Sequence, residues 1–220
     1  MLDKSLVRSV ATSSDEPRFA MLATIREYAL ERLNGSPDGA AFRRRHAEHY
    51  AELAAAAANH LTSTDSRHWL DLLEQDHDNL RAAIDWAFTN GEVEICLGMA
   101  ASLWWFWQIR GHLVEARDRL ERILAMPGVD AAPVELLARA EGATGSVAYW
   151  RGDIHETSLH YGRALEFARR GADRRLLAES LYNFGFAPDP AVAAWGSISE
   201  TGTAYSPGRV PPANATRAGE

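Results

Sequence analysis

Arg110-Gly111-His112-Leu113-x-Glu115-Ala116 and Arg151-Gly152-Asp153-Ile154-x-Glu156-Thr157 are one pattern occurring twice, 41 residues apart. The register continues as Leu120 with Tyr161 and Leu124 with Leu165. A second alignment sets Leu136-Leu137-Ala138 through Gly145 against Leu176-Leu177-Ala178 through Gly185, offset by 40. A period of this length, built from helical apolar spacing and a turn glycine, marks a repeated helical hairpin. Such a hairpin cannot bury its own apolar face, so neighbouring units must stack into a continuous core.

Further turn signals stand at Leu61 to Asp65, Asn90-Gly91, Pro127-Gly128 and Arg170-Gly171. Each glycine suits a helix C′ position, where a left-handed backbone costs it little. Between these signals the pattern is helical from Ala40 to about residue 186, including the alanine-rich stretch Ala54 to Ala58, where Tyr50, Leu53 and Leu61 supply an apolar face. Upstream, Leu6, Val7 and Val10 are β-prone, Ala11 to Pro17 supply turn residues, and a small hairpin is expected over Arg8 to Met21. Met21, Leu22, Ile25, Tyr28, Ala29 and Leu33 then recur at three- and four-residue steps, and Asn34-Gly35-Ser36-Pro37 ends that helix. Beyond Ala187, Pro188-Asp189-Pro190 opens a stretch dominated by small and turn-forming residues, read as a disordered tail over residues 188–220. The helix before it, Arg174 to Phe186, carries Leu176, Leu177, Leu181, Tyr182 and Phe184 without the partner a further repeat would bring.

The repeat register resembles the tetratricopeptide family. Gly145, Thr157, Tyr161 and Ala164 match its small, small, aromatic and small positions, with Gly152 in the inter-helix turn. Ala116, Leu120 and Ile123 hold three of these places in the earlier unit, where Trp104 and Trp107 replace the glycine and aromatic.

The N-terminal half carries a second resemblance. Leu2-Asp3-Lys4-Ser5-Leu6-Val7 and Arg18-Phe19-x-Met21-Leu22-x-Thr24-Ile25-Arg26-Glu27-Tyr28-Ala29 resemble the winged-helix segment that follows the nucleotide-binding module of bacterial STAND-type ATPase regulators. Arg43-Arg44-Arg45-His46, Trp69-Leu70, Asp76-x-Asp78-Asn79-Leu80-Arg81-Ala82-Ala83 and Trp105 to Gly111 are similar to the helical part of LuxR-type and cyclase-associated members. The resemblance implies an all-α, antiparallel helical-hairpin array of the tetratricopeptide-like α-solenoid type. A winged-helix remnant would occupy residues 1–35, the repeats 36–187 and the tail 188–220. It further implies a partner-sensing middle segment whose ATPase and DNA-binding output domains lie outside this sequence. No G-x-x-x-x-G-K-[ST] loop is present, so no nucleotide cofactor is expected.

The 220 residues carry a formal charge of −7, and 46% are hydrophobic. That balance lacks the basic surplus needed to neutralise phosphates, so protein or peptide partners, or other domains of a parent regulator, are expected rather than nucleic acid. No stretch reaches the roughly 18 apolar residues of a spanning helix, and Cys96 is the single cysteine, which together suggest a cytoplasmic protein without membrane contact.

Catalytic and metal sites are not expected. His46 and His49 lack a third ligand. The pair in His155-Glu156-x-x-x-His160 is five apart, which turns the rings roughly 140° from one another on a helix. Glu74, Asp76 and Asp78 lack the glycine and terminal glutamate of a calcium loop and read as helix-start charges. Arg43 to Arg45 read as pairing with Glu48 and Glu52. Cys96 reads as a small buried apolar residue. Trp104, Trp105, Phe106 and Trp107 cannot all face one core from one helix, so candidate partner contacts are Trp104, Trp105, Trp107 and Tyr182. A free-standing adaptor is the alternative function. An enzyme is a second one, for which no nucleophile, base and orienting group converge in a motif.

Overall fold

A computed structural model describes residues 6–10 and 18–187. Two short strands, β1 (Arg8–Val10) and β2 (Arg18–Ala20), pair antiparallel with Arg8 opposite Ala20. Nine helices follow among the described residues: α1 (Ala23–Asn34), α2 (Gly39–Ala58), α3 (Ser66–Gln75), α4 (His77–Thr89), α5 (Val93–Arg110), α6 (Leu113–Leu124), α7 (Val134–Arg151), α8 (Ile154–Arg170) and α9 (Arg174–Phe184). The molecule is mainly helical, as the periodicity requires. The N-terminal strand pair falls where it was expected, and α1 ends at the Asn34-Gly35 signal. The tail reading of 188–220, the turn at 11–17 and Leu2 to Ser5 lie outside the described residues.

The turns explain the helix boundaries. Gly91, Gly111 and Gly152 have φ of 71°, 82° and 78°. At each, the following N–H reaches back to the same helical carbonyl: Glu92 to Ala87 (2.9 Å), His112 to Trp107 (2.7 Å) and Asp153 to Ala148 (3.0 Å). These are Schellman caps, which satisfy carbonyls that a helix end would otherwise orphan. Gly111 and Gly152 therefore repeat one backbone device across the 41-residue period. Gly171 departs from the expectation. Its backbone is extended (φ −85°, ψ 171°), and a Cβ there would come within 2.7 Å of Glu135 Oε1. No left-handed turn calls for glycine at that position, and a side chain there would only have to displace the end of Glu135.

The helices contact one another in two alternating rows. α2, α5, α7 and α9 touch in succession, while α4, α6 and α8 pack between and behind them. One apolar core runs from Ala47 and Ala54 of α2 through Leu80 and Ile84 of α4 and Leu97, Leu103 and Phe106 of α5 to Ala140, Ala143 and Val147 of α7. Alanines at full burial let α2 approach its neighbours closely. α5 is apolar on every side because α2, α4, α6 and α7 all pack against it. Among the described helices, α7 and α8 share the most extensive contact. A Cβ built at Gly145 would lie 2.5 Å from Tyr161 Cδ1, so the ring fills the space a side chain would need. The Tyr161 and Ser146 hydroxyls meet at 3.1 Å beneath it.

Two expectations need adjusting. Leu22 and Tyr28, expected on the apolar face of α1, are 57% and 56% exposed, and α1 holds no fully buried residue. Trp107 is 1% exposed, packed in the core, and is withdrawn as a partner contact.

Candidate functional site

The inner row of helices encloses a groove of about 290 Å³. Its floor is made of small residues: Gly98, Ala101 and Ser102 of α5 and Gly142, Ala143 and Ser146 of α7. Ala55 and Ala58 of α2 form one wall, while Leu176 and Ser180 of α9 form the other. Small side chains at these positions leave room that larger ones would fill. Arg139 and Glu179 stand at the polar edge, Arg139 already held by Asp173 at 2.9 Å.

The aromatic candidates divide around this groove. Trp104 is half-buried and lines it. Trp105 is half-buried too and stacks on Trp104 with ring centroids 4.3 Å apart. Phe106 and Trp107 complete the core beneath them. Tyr182, on α9, is 63% exposed and lies against Phe186 rather than on the groove. α9 therefore docks through Leu176, with Ala168 and Ala138, and turns Leu181, Tyr182 and Phe184 outward.

A second cluster joins the α3–α4 corner to the α5–α6 turn. Glu115 of α6 accepts Arg81 Nε at 2.9 Å and Arg119 Nε at 2.8 Å, with Arg81 Nη2 at 2.5 Å. Burial alone would raise the Glu115 carboxyl, but the Arg81 and Arg119 guanidiniums outweigh it and hold the group down at about 2. His77, at the start of α4, is pushed down by burial, against the pull of Glu115. His112 Nε2 lies 3.3 Å from Glu74 Oε2, and Arg110 of the same turn pairs with Asp71. The 41-residue period carries Glu115 onto Glu156, which contacts a second buried histidine: His160 meets Glu156 at 3.2 Å and Glu141 at 2.5 Å.

The other sequence candidates separate. His155 is exposed while His160 is buried, on different sides of α8 as their spacing requires. His46 and His49 both contact the Tyr50 ring. Asp76 accepts from Asn79 and Tyr50, Asp78 faces Arg81, and Glu74 faces His112, so the three acidic residues do not converge. Arg44 pairs with Glu48, as expected, and with Glu92 across the helices. Cys96 is fully buried, and burial pushes its thiol up to about 12. The juxtaposition of Glu74, His77 and His112 had no sequence signal, because its members come from separate elements and match no spacing rule.

Curated relatives include proteins named "Putative HTH-type transcriptional regulator" from Mycobacterium bovis and from two strains of Mycobacterium tuberculosis. Each is 38% identical to this chain over 125 residues. The chain contains a stretch similar to part of these regulators. That matched stretch is 56% of this chain but 14% of each relative's length. No family model and no solved structure matches the chain. Among the described residues no helix is long and apolar enough to cross a membrane.

Proposed function

We propose that this chain is a non-catalytic, protein-binding segment of a transcriptional regulator of the STAND-type, LuxR-like class, working in the cytoplasm. The similarity to HTH-type regulators over 125 residues carries the reading. On this view β1, β2 and α1 are the remnant of a winged-helix unit, and α5 to α8 are tetratricopeptide-like hairpins. The close approach of Tyr161 to Gly145 supports that assignment, since a large ring against a missing side chain is how the register pairs its helices. Recognition falls to the groove between α5, α7 and α9. Its small residues admit the side chains of a peptide, or of another domain of the parent protein, and Trp104 offers an aromatic contact at its edge.

Nucleotide hydrolysis and DNA reading belong to other parts of such a regulator. Calorimetric titration of the full chain with magnesium-ATP and with duplex DNA tests this division. Neither ligand is expected to give saturable heat, and tight magnesium-dependent ATP binding would overturn the proposal.

A further inference from the structure

We propose that Glu74, His77 and His112 bind a divalent transition-metal ion of the zinc class. The three residues present ligand atoms that all lie within 4.8 Å of one another. They come from the end of α3, the start of α4 and the turn before α6. His77 is 7% exposed, and its Nε2 is sealed from solvent without a hydrogen-bond partner. A carboxylate oxygen of Glu115 sits 3.3 Å away, but off hydrogen-bond geometry. That carboxylate is already engaged by Arg81 and Arg119. A buried imidazole nitrogen left unpaired in this way is uncommon, and a metal ion is one partner that would satisfy it.

One of the three separations already matches such an ion, and the other two would have to close from no more than 4.8 Å. Zinc bonds to imidazole nitrogen at about 2.0–2.1 Å, so two ligand atoms on a tetrahedron stand about 3.3 Å apart. His112 Nε2 and Glu74 Oε2 are already at 3.3 Å. Glu74 is 43% exposed at its side chain, which leaves it room to move toward His77 while keeping His112 as a neighbour. Its nearest competing cation, Arg110 at 4.0 Å, has Asp71 as a closer partner. Two imidazoles and one carboxylate favour zinc, cobalt, nickel or copper over magnesium or calcium. With three protein donors the fourth position falls to water, which leaves the coordination sphere open at one place. Bound there, the ion would tie the α3–α4 corner to the α5–α6 turn.

Chelator-treated full-length chain, titrated with zinc by calorimetry and with cobalt by visible absorption, tests the site. Saturable one-to-one binding is expected, with the intense visible bands of a low-coordinate cobalt ion and a rise in Tm on adding zinc. His112→Gln and Glu74→Gln, both at accessible positions, are each expected to weaken binding by about tenfold or more while leaving the helical circular dichroism intact. His49→Ala is expected to bind as the parent does. Absence of saturable zinc uptake, or unchanged affinity in both His112→Gln and Glu74→Gln, would overturn the proposal.

Discussion

At the scale of single residues, two glycines in neighbouring helices of the inner row make opposite demands. Gly145 is needed because the Tyr161 ring occupies the volume of its absent side chain. Gly98, in the interior of α5, has nothing within 4 Å of where a Cβ would stand. Gly145→Ala is therefore expected to destabilise the protein by about 1–3 kcal/mol, as overpacking does. Gly98→Ala should stabilise it by about 0.5–1 kcal/mol through helix propensity alone. Denaturant melts of the two variants check the pair. Equal effects of the same sign would contradict the tight packing at Gly145 and the open space at Gly98. The sequence marks Gly145 as a small and Tyr161 as an aromatic position of the repeat register, while the direct contact between them comes from how α7 and α8 pack. The room beside Gly98 was not legible in sequence, because no local pattern distinguishes a glycine that borders a groove from one that admits a neighbour.

Among elements, α4 and α6 are joined through charge, by Arg81 with Glu115 and Asp85 with Arg119. Glu115 titrates at about 2 when folded, against an ordinary value of 4.5. A carboxylate lowered by folding stabilises the native state fully above its unfolded value and loses that contribution as pH falls toward the folded one. In chelator-treated protein, this contribution, on the order of 2 kcal/mol, should be lost between about pH 4.5 and 2. Urea midpoints measured across that range should fall steeply for the parent and be flatter for Glu115→Gln. A parallel decline in both would remove Glu115 from the explanation. The helices themselves were legible from apolar spacing and turn glycines. Their cross-links were not: Arg81 with Glu115, Arg119 with Asp85, and Arg44 with Glu92 join residues 34 to 48 positions apart. The four-aromatic run Trp104 to Trp107 was ambiguous for the same reason. Only the neighbours of α5 decide that Phe106 and Trp107 are buried while Trp104 and Trp105 reach its edge.

For the molecule as a whole, the two rows of helices make a surface of unequal chemistry. Ion pairs join α4 to α6 in the outer row, while the inner row carries a groove floored by glycine, alanine and serine. The all-helical class, the strand pair and the order of turns could be read from the sequence. The groove could not, since it arises where α2, α5, α7 and α9 come together across more than a hundred residues of chain. The outward turn of Tyr182 depends likewise on how α9 settles against α7 and α8. If the groove receives peptide, filling it should abolish binding without unfolding the protein. The decisive measurement is selection of a phage-displayed peptide library against the full chain, followed by titration of the enriched peptides against the parent and Ala101→Phe. Saturable binding to the parent, lost in Ala101→Phe while its helical circular dichroism is unchanged, is the expected result. Failure to enrich any peptide, or equal affinity for the groove-filled variant, would contradict a protein-binding role for this surface.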